Sequence, residues 1–362
     1  MKLNEEQNFI NFLVKIANVV GLSSVVVMLL VGIALIMVIY HVDFTLPQLS
    51  QTEPPAATAP LPSPSTAPPS PVVTAPADDM WKAPDLASLV GTPEEKQITY
   101  GQELIAHTAQ YLGPKGKVLQ ISNGMNCQNC HLNAGTKTFG NNYALVASTY
   151  PKFRGRSGTV ESVEKRVNDC FERSLNGKPL KEDSKEMKAM VAYINWVGKE
   201  VKKDEKVKGA GLVELPLLDR AASPANGKAV YLQKCQSCHG PEGQGIKSEG
   251  SAEYQYPPLW GKSSYNNGAG LFRVSTFARY VKANMPLGAT YSRPMLSDEE
   301  AWDLAAYVNT MPRPKKDLSK DWPDISKKPI DHPFGPYSDG FKEKQHKYGP
   351  FKPIAEAKTS MK

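Results

Sequence analysis

The chain has 362 residues, with 43 Lys+Arg against 36 Asp+Glu, 41% hydrophobic residues, 30 Pro and five Cys. This hydrophobic content excludes a wholly disordered chain, and so few cysteines exclude a disulfide scaffold. A net charge of +7 with no dense basic stripe and interleaved aromatics speaks against nucleic acid and fits an anionic small molecule or an acidic protein partner.

In chain order, the first element is an apolar run. Val19 to Tyr40 is nearly all hydrophobic, and as a helix it is long enough for a hydrocarbon core of about 30 Å. Buried core helices are seldom apolar on every face over six turns. No small-residue cleavage site follows Tyr40, so the reading is an uncleaved anchor rather than a signal peptide. Lys2 and Lys15 precede the run, and no Lys or Arg follows until Lys82. The positive-inside rule then places the N-terminus in the cytoplasm and the remainder outside, giving a bacterial inner-membrane protein with a periplasmic body. Residues 1–46 are assigned to this anchor, and 47–80, rich in Pro, Ala, Ser and Thr, to an extended linker that cannot bury apolar surface.

Four of the five cysteines lie in two identical patterns, Cys127-Gln-Asn-Cys130-His131 and Cys235-Gln-Ser-Cys238-His239. C-x-x-C-H is the attachment signal of c-type haem. Each thiol adds to a vinyl group, the spacing puts both sulfurs on one side of a helical turn, and the adjacent His reaches the iron. Zinc and thioredoxin-like readings compete, but a His directly after both pairs is unusual for zinc, and a thioredoxin motif needs a βαβ context that is absent. The expected cofactors are therefore two covalently bound haem c.

The surroundings of the two motifs repeat. Thr92-Pro93-Glu94-Glu95 predicts a helix start with Thr92 as N-cap, followed by an apolar stripe of Ile98, Leu104, Ile105, Ala109 and Leu112. Pro224 opens a shorter helix before the second motif. Later helices carry Ala192-Tyr193-Ile194-Asn195 and Ala306-Tyr307-Val308-Asn309, the second entered through a capping box at Ser297 and Glu300. The predicted fold is all-α, with two units resembling class I cytochrome c domains in tandem. They span 81–211 and 212–312, and 313–362 forms an irregular wrap over both.

In such a unit the second axial ligand precedes the last helix. Met285 lies 22 residues before Tyr307, and Cys170 lies 23 residues before Tyr193. Thioether ligation raises a haem potential and thiolate lowers it, so electrons would run from a His131/Cys170 haem to a His239/Met285 haem. Cys170 could instead be a buried structural thiol, and Met295, Lys282 and Met311 are rivals to Met285. Residues 152–203 hold 13 Lys+Arg against eight Asp+Glu. Arg154, Arg156, Arg166 and Arg173 suit oxyanions, although haem propionates could engage some of them.

The strings NCQNCHLNAG, NNYALVASTYPKFRGRSG and ESVEKRVNDCFERSLNGKPL, with the tail HPFGPYSDGFKEKQHKYGPF, resemble the thiosulfate dehydrogenase family of dihaem cytochromes c. The resemblance runs from about Trp81 to Ile354, leaving out the anchor and linker. It implies oxidation of two thiosulfate to tetrathionate, or the reverse, at a haem held by His131 and Cys170. Arg156, Arg166 and Ser174 are implied to bind substrate, and Met or Lys to ligate the second haem. An external cytochrome or membrane redox protein would exchange the electrons. A tethered electron carrier without a substrate, and a Sox-type sulfur-transferring cytochrome, remain as alternatives.

Overall fold

The structure, a computed structural model, describes residues 79–360. The apolar run Val19–Tyr40 and most of the Pro-rich segment lie outside the described residues, and within them no helix is long and apolar enough to cross a membrane. The described residues all belong to one compact unit.

The principal elements are α1 (Glu95–Ala106), β1 (Lys152–Arg154), β2 (Thr159–Glu161), α2 (Val163–Arg173), α3 (Lys185–Val197), α4 (Pro224–Lys234), α5 (Val274–Asn284), α6 (Asp298–Thr310), α7 (Glu343–Tyr348) and α8 (Lys352–Ser360). Strands are confined to two small antiparallel ribbons, one of them β1–β2 with Lys152 opposite Glu161 and Arg154 opposite Thr159. The helix-rich fold follows the sequence pattern. The expected stripe of Ile98, Leu104, Ile105, Ala109 and Leu112 is buried throughout, although the chain breaks at His107 and restarts as the short helix Thr108–Leu112.

Local chemistry sets the helix ends. Ser297 and Glu300 form the predicted capping box, and Ser223 caps α4 with Pro224 at its first position. Thr92 departs from expectation. Its hydroxyl turns back to Leu89 O, and the Glu95 carboxylate accepts the Gly91 N–H at 2.8 Å. The helix starts after Glu94 with no side-chain cap bond, and Glu95 in its first turn has the favourable sign for the helix dipole.

The repeat is visible as one helix crossing built twice. Helix α1 packs on α3, and α4 on α6. At the first crossing a Cβ on Gly101 would stand 2.0 Å from Ala189 O and 2.8 Å from Tyr193 Cβ; at the second, a Cβ on Gly227 would stand 1.9 Å from Asp303 O and 2.8 Å from Tyr307 Cβ. Tyr193 and Tyr307, the shared tyrosines of the sequence repeat, thus pack against the same kind of contact in both halves. Each glycine permits a backbone approach that any side chain would block. Gly101→Ala and Gly227→Ala should each lower stability by about 2–3 kcal/mol through overpacking. Gly340→Ala, which meets nothing within 4 Å, should stay within about 0.5 kcal/mol of the parent. Denaturant melts of the three variants measure the difference.

The C-terminal segment covers both halves, but it is not wholly irregular, since it includes α7 and α8. Asp321 receives both terminal nitrogens of Arg173 at 2.7 and 2.8 Å. Asp331 binds Arg273 and Ser275, Phe334 stacks on Phe272 at 5.7 Å, and Phe351 packs on Trp302 at 5.5 Å. Further bonds join the halves directly. Tyr280 donates to Asn129 O at 2.8 Å and Asn284 to Phe139 O at 3.0 Å. Glu253 from the second half meets His107, Gln110 and Asn126 of the first at 3.0–3.1 Å.

Candidate functional site

The first C-x-x-C-H motif opens onto a cavity of about 190 Å³ that Cys127, Cys130 and His131 line together with Arg166, Cys170 and Ser174. The last three lie at i, i+4 and i+8 across α2 and its C-cap, so a single helical face carries them. Ser162 starts that face by accepting the Lys165 N–H, and Val167 and Phe171 bury the helix against the core. A charge on Cys170 is felt across the cavity. It contributes to raising the Cys127 and Cys130 thiols, which burial chiefly pushes up to about 12. It is also the main influence lifting the Arg166 guanidinium above its usual range, outweighing burial.

The donors fit a covalently attached haem. His131 Nδ1 lies 2.6 Å from Asn141 O. A carbonyl can only accept, so Nδ1 carries the proton and the Nε2 lone pair is left for a metal. Burial pulls the imidazole down to about 4, which keeps it neutral, and the Tyr143 ring stacks on it at 4.7 Å. The second motif repeats the arrangement: His239 Nδ1 lies 2.8 Å from Pro257 O, and burial again lowers its pKa. None of the five cysteines is paired in a disulfide, so the four motif sulfurs are not committed to one another. Among the described residues no cluster of three or more His, Cys, Asp and Glu could hold a bare metal ion.

The second cavity, about 380 Å³, is lined by Cys235, Cys238, His239 and Met285. The rivals to Met285 are engaged elsewhere. Lys282 donates to Leu296 O at 2.8 Å and pairs with Asp298 at 2.6 Å, Met295 is half exposed, and Met311 does not line the cavity. Cys130 and Asn126 line both cavities, so the two sites share a wall.

The arginines divide. Arg166 lines the first cavity. Arg156 does not; it lies in a neighbouring cleft, yet close enough that Arg173 and Arg166, together with burial as the larger cause, pull its guanidinium down to about 10. Arg173, read from sequence as an oxyanion donor, is buried and doubly bonded to Asp321, so its role is to fasten the C-terminal segment. Arg154 approaches only Glu161, at 3.9 Å. Sequence reasoning did not single out Tyr143, Tyr150, Glu253 or Trp322. Tyr143 and Tyr150, which line the first cavity, stood inside a quoted string, whereas Glu253, which lines the second, and Trp322, in the cleft beside Arg156, are placed by contacts distant in sequence.

Comparison with known proteins follows the same lines. Residues 118–202 match the family model "SoxA/TsdA, cytochrome c domain" and residues 224–312 match "Cytochrome c". The thiosulfate dehydrogenase of Psychrobacter arcticus is 35% identical over 246 residues, covering 67% of this chain and 72% of that protein. That of Stutzerimonas stutzeri is 37% identical over 227 residues, covering 62% and 72%. That of Allochromatium vinosum is 40% identical over 198 residues, covering 54% and 72%. The solved thiosulfate dehydrogenase (TsdBA) from Marichromatium purpuratum, in its as-isolated form, superposes with a TM-score of 0.60 at 31% identity over 66% of this chain, and the match spans 50% of that solved chain. With two cytochrome c domains, each carrying one haem c attachment site, this chain belongs to the thiosulfate dehydrogenase family.

Proposed function

We propose that this chain joins two thiosulfate ions into one tetrathionate and passes two electrons to an external acceptor, with the reverse reaction open to it. The observation that carries the reading is the grouping of Arg166, Cys170 and Ser174 with the first haem motif around one cavity. A pure electron carrier gains nothing from a thiol beside an anion-binding arginine.

When bound, the two haems would be held by Cys127, Cys130 and His131 with Cys170, and by Cys235, Cys238 and His239 with Met285, and would take up one electron each. The protein's own groups do the rest. Arg166 and Ser174 hold the sulfonate oxygens of one thiosulfate, and Arg156 lends positive charge from the adjoining cleft. This field offsets the mutual repulsion of two dianions, which is strong where water is excluded. The Cys170 thiolate and the outer sulfur of the first thiosulfate form a sulfur–sulfur bond with loss of two electrons, leaving a cysteine S-thiosulfonate. The outer sulfur of the second thiosulfate attacks that bond by the logic of thiol–disulfide exchange. Tetrathionate leaves and the Cys170 thiolate returns, with no further electrons moved.

The N-terminal apolar run would anchor this body to the periplasmic face of the inner membrane, and the Pro-rich segment would let it reach a cytochrome or membrane redox partner. Purified holoprotein given thiosulfate and ferricyanide, then tetrathionate and a reduced viologen, tests the activity. Tetrathionate formed from thiosulfate alone is the expected result, and ferricyanide left unreduced would refute it. Full-length protein should sediment with membranes, and a chain lacking residues 1–46 should not.

A further inference from the structure

A second anion station lies beside the first cavity and is built partly by the C-terminal segment. A cleft of about 380 Å³ is lined by Phe153, Arg154, Gly155, Arg156, Trp322 and Lys327. Three of the six are cations and none is an acid. None of the six lines the haem cavities. The nearest carboxylates are committed: Asp321 is bonded twice to Arg173, and Glu161 stands 3.9 Å from Arg154. Glu161 thus faces Arg154, but among the described residues no ion pair involves Arg156 or Lys327, so the cleft carries an excess of positive charge. Burial of Arg156, and repulsion from Arg173 and Arg166, lower the pKa of that guanidinium, and Asp169 and Asp321 offset them only in part, as expected where cations crowd one another.

The wall is held in place at a conformational cost. Trp322 has φ +60°, a left-handed backbone that bulky side chains rarely adopt. Two bonds fix it there: its N–H donates to Arg156 O at 2.7 Å, and its indole N–H donates to His332 Nε2 at 3.0 Å. His332 presents that nitrogen as an acceptor because its Nδ1 lies 3.0 Å from Phe334 O and burial pulls the ring down to about 4, keeping it neutral. Strain of this kind persists where the surroundings over-determine it, often beside a binding site.

We infer that this cleft docks a sulfur oxoanion: Arg154, Arg156 and Lys327 hold the sulfonate end of a second thiosulfate, or of tetrathionate, with the Trp322 indole as the wall. The inference rests on the reaction proposed above. That reaction must bring two dianions together, and Arg156, which lines the cleft, is near enough to Arg166 to be repelled by it. Guanidinium forks suit the tetrahedral oxygens, and an aromatic ring is a favourable neighbour for polarisable sulfur.

Two measurements test it on the oxidised holoprotein. Sulfate, which cannot be oxidised further, is titrated calorimetrically into the parent, Lys327→Glu and Lys202→Glu. Lys202 is an exposed loop residue outside both sites, so its reversal changes net charge equally. Binding by the parent and by Lys202→Glu, weakened about tenfold or more in Lys327→Glu, supports the cleft. Equal binding by all three, or no binding because a haem propionate fills the cleft, overturns it. In steady state Lys327→Gln should raise KM for thiosulfate about threefold to tenfold, with the loss on KM rather than kcat; an unchanged KM overturns the proposal. Should the parent form no tetrathionate, the proposed reaction fails by itself, and the sulfate titration still decides whether the cleft binds oxoanions.

Discussion

Replacing Cys170 by serine should lower thiosulfate turnover by about a thousandfold or more while both haems stay attached. The four thiols of the attachment motifs are untouched, and Cys170 sits on a separate helix that enters the same cavity. Serine is nearly isosteric and leaves the α2 backbone bonds in place, so folding should survive. An oxygen at this position cannot form the sulfur–sulfur bond and donates far less to a metal. Haem content by absorbance and mass, read beside turnover, separates lost chemistry from lost cofactor. The electron paramagnetic resonance signal of a low-spin thiolate haem should vanish in the same variant. Full activity in Cys170→Ser would exclude covalent participation of this residue.

Arg166→Gln should reduce kcat/KM about a hundredfold to a thousandfold, the range found when a preorganised group holding developing or bound negative charge is removed. Arg166 lies one helical turn before Cys170, lines the same cavity and is strongly coupled to it. Among the described residues no carboxylate forms an ion pair with it. Its charge is thus available to an incoming anion, unlike that of Arg173, which Asp321 neutralises. Arg166→Lys should recover part of the loss, because it keeps the charge but not the two-pronged geometry. Steady-state kinetics over a thiosulfate series, with haem spectra as a folding control, provide the measurement. A change of less than about threefold in Arg166→Gln would remove this residue from the substrate site.

Sequence reasoning reached furthest where chemistry is local. The C-x-x-C-H spacing, the Ser297–Glu300 box, Pro224 at a helix start and the paired Tyr193 and Tyr307 each depend on neighbours a few residues away, and each has its counterpart in the structure. The i, i+4, i+8 spacing of Arg166, Cys170 and Ser174 was equally local and could have been read as one helix face. What stayed hidden depends on distant pairing. Thr92 lost its predicted capping role because its hydroxyl donates to Leu89 O instead, a choice between local partners that sequence alone does not rank. The arginines all looked alike, yet Arg173 finds Asp321 at a separation of 148 residues, and Arg156 meets Trp322 across a similar stretch. No periodicity encodes such contacts. Glu253, one acid in a loop, gives no sign in the sequence that it fastens three side chains of the other half.

Cys130 and Asn126 border both haem cavities, and this has a kinetic consequence. Haems held at these two motifs would be neighbours by covalent construction, so charge would pass from one to the other without an encounter and without one half reorienting. That hop should be indifferent to solvent viscosity and to ionic strength. The steps that such conditions govern are the arrival of anions at one end of the wire and the discharge into a soluble or membrane-bound acceptor at the other.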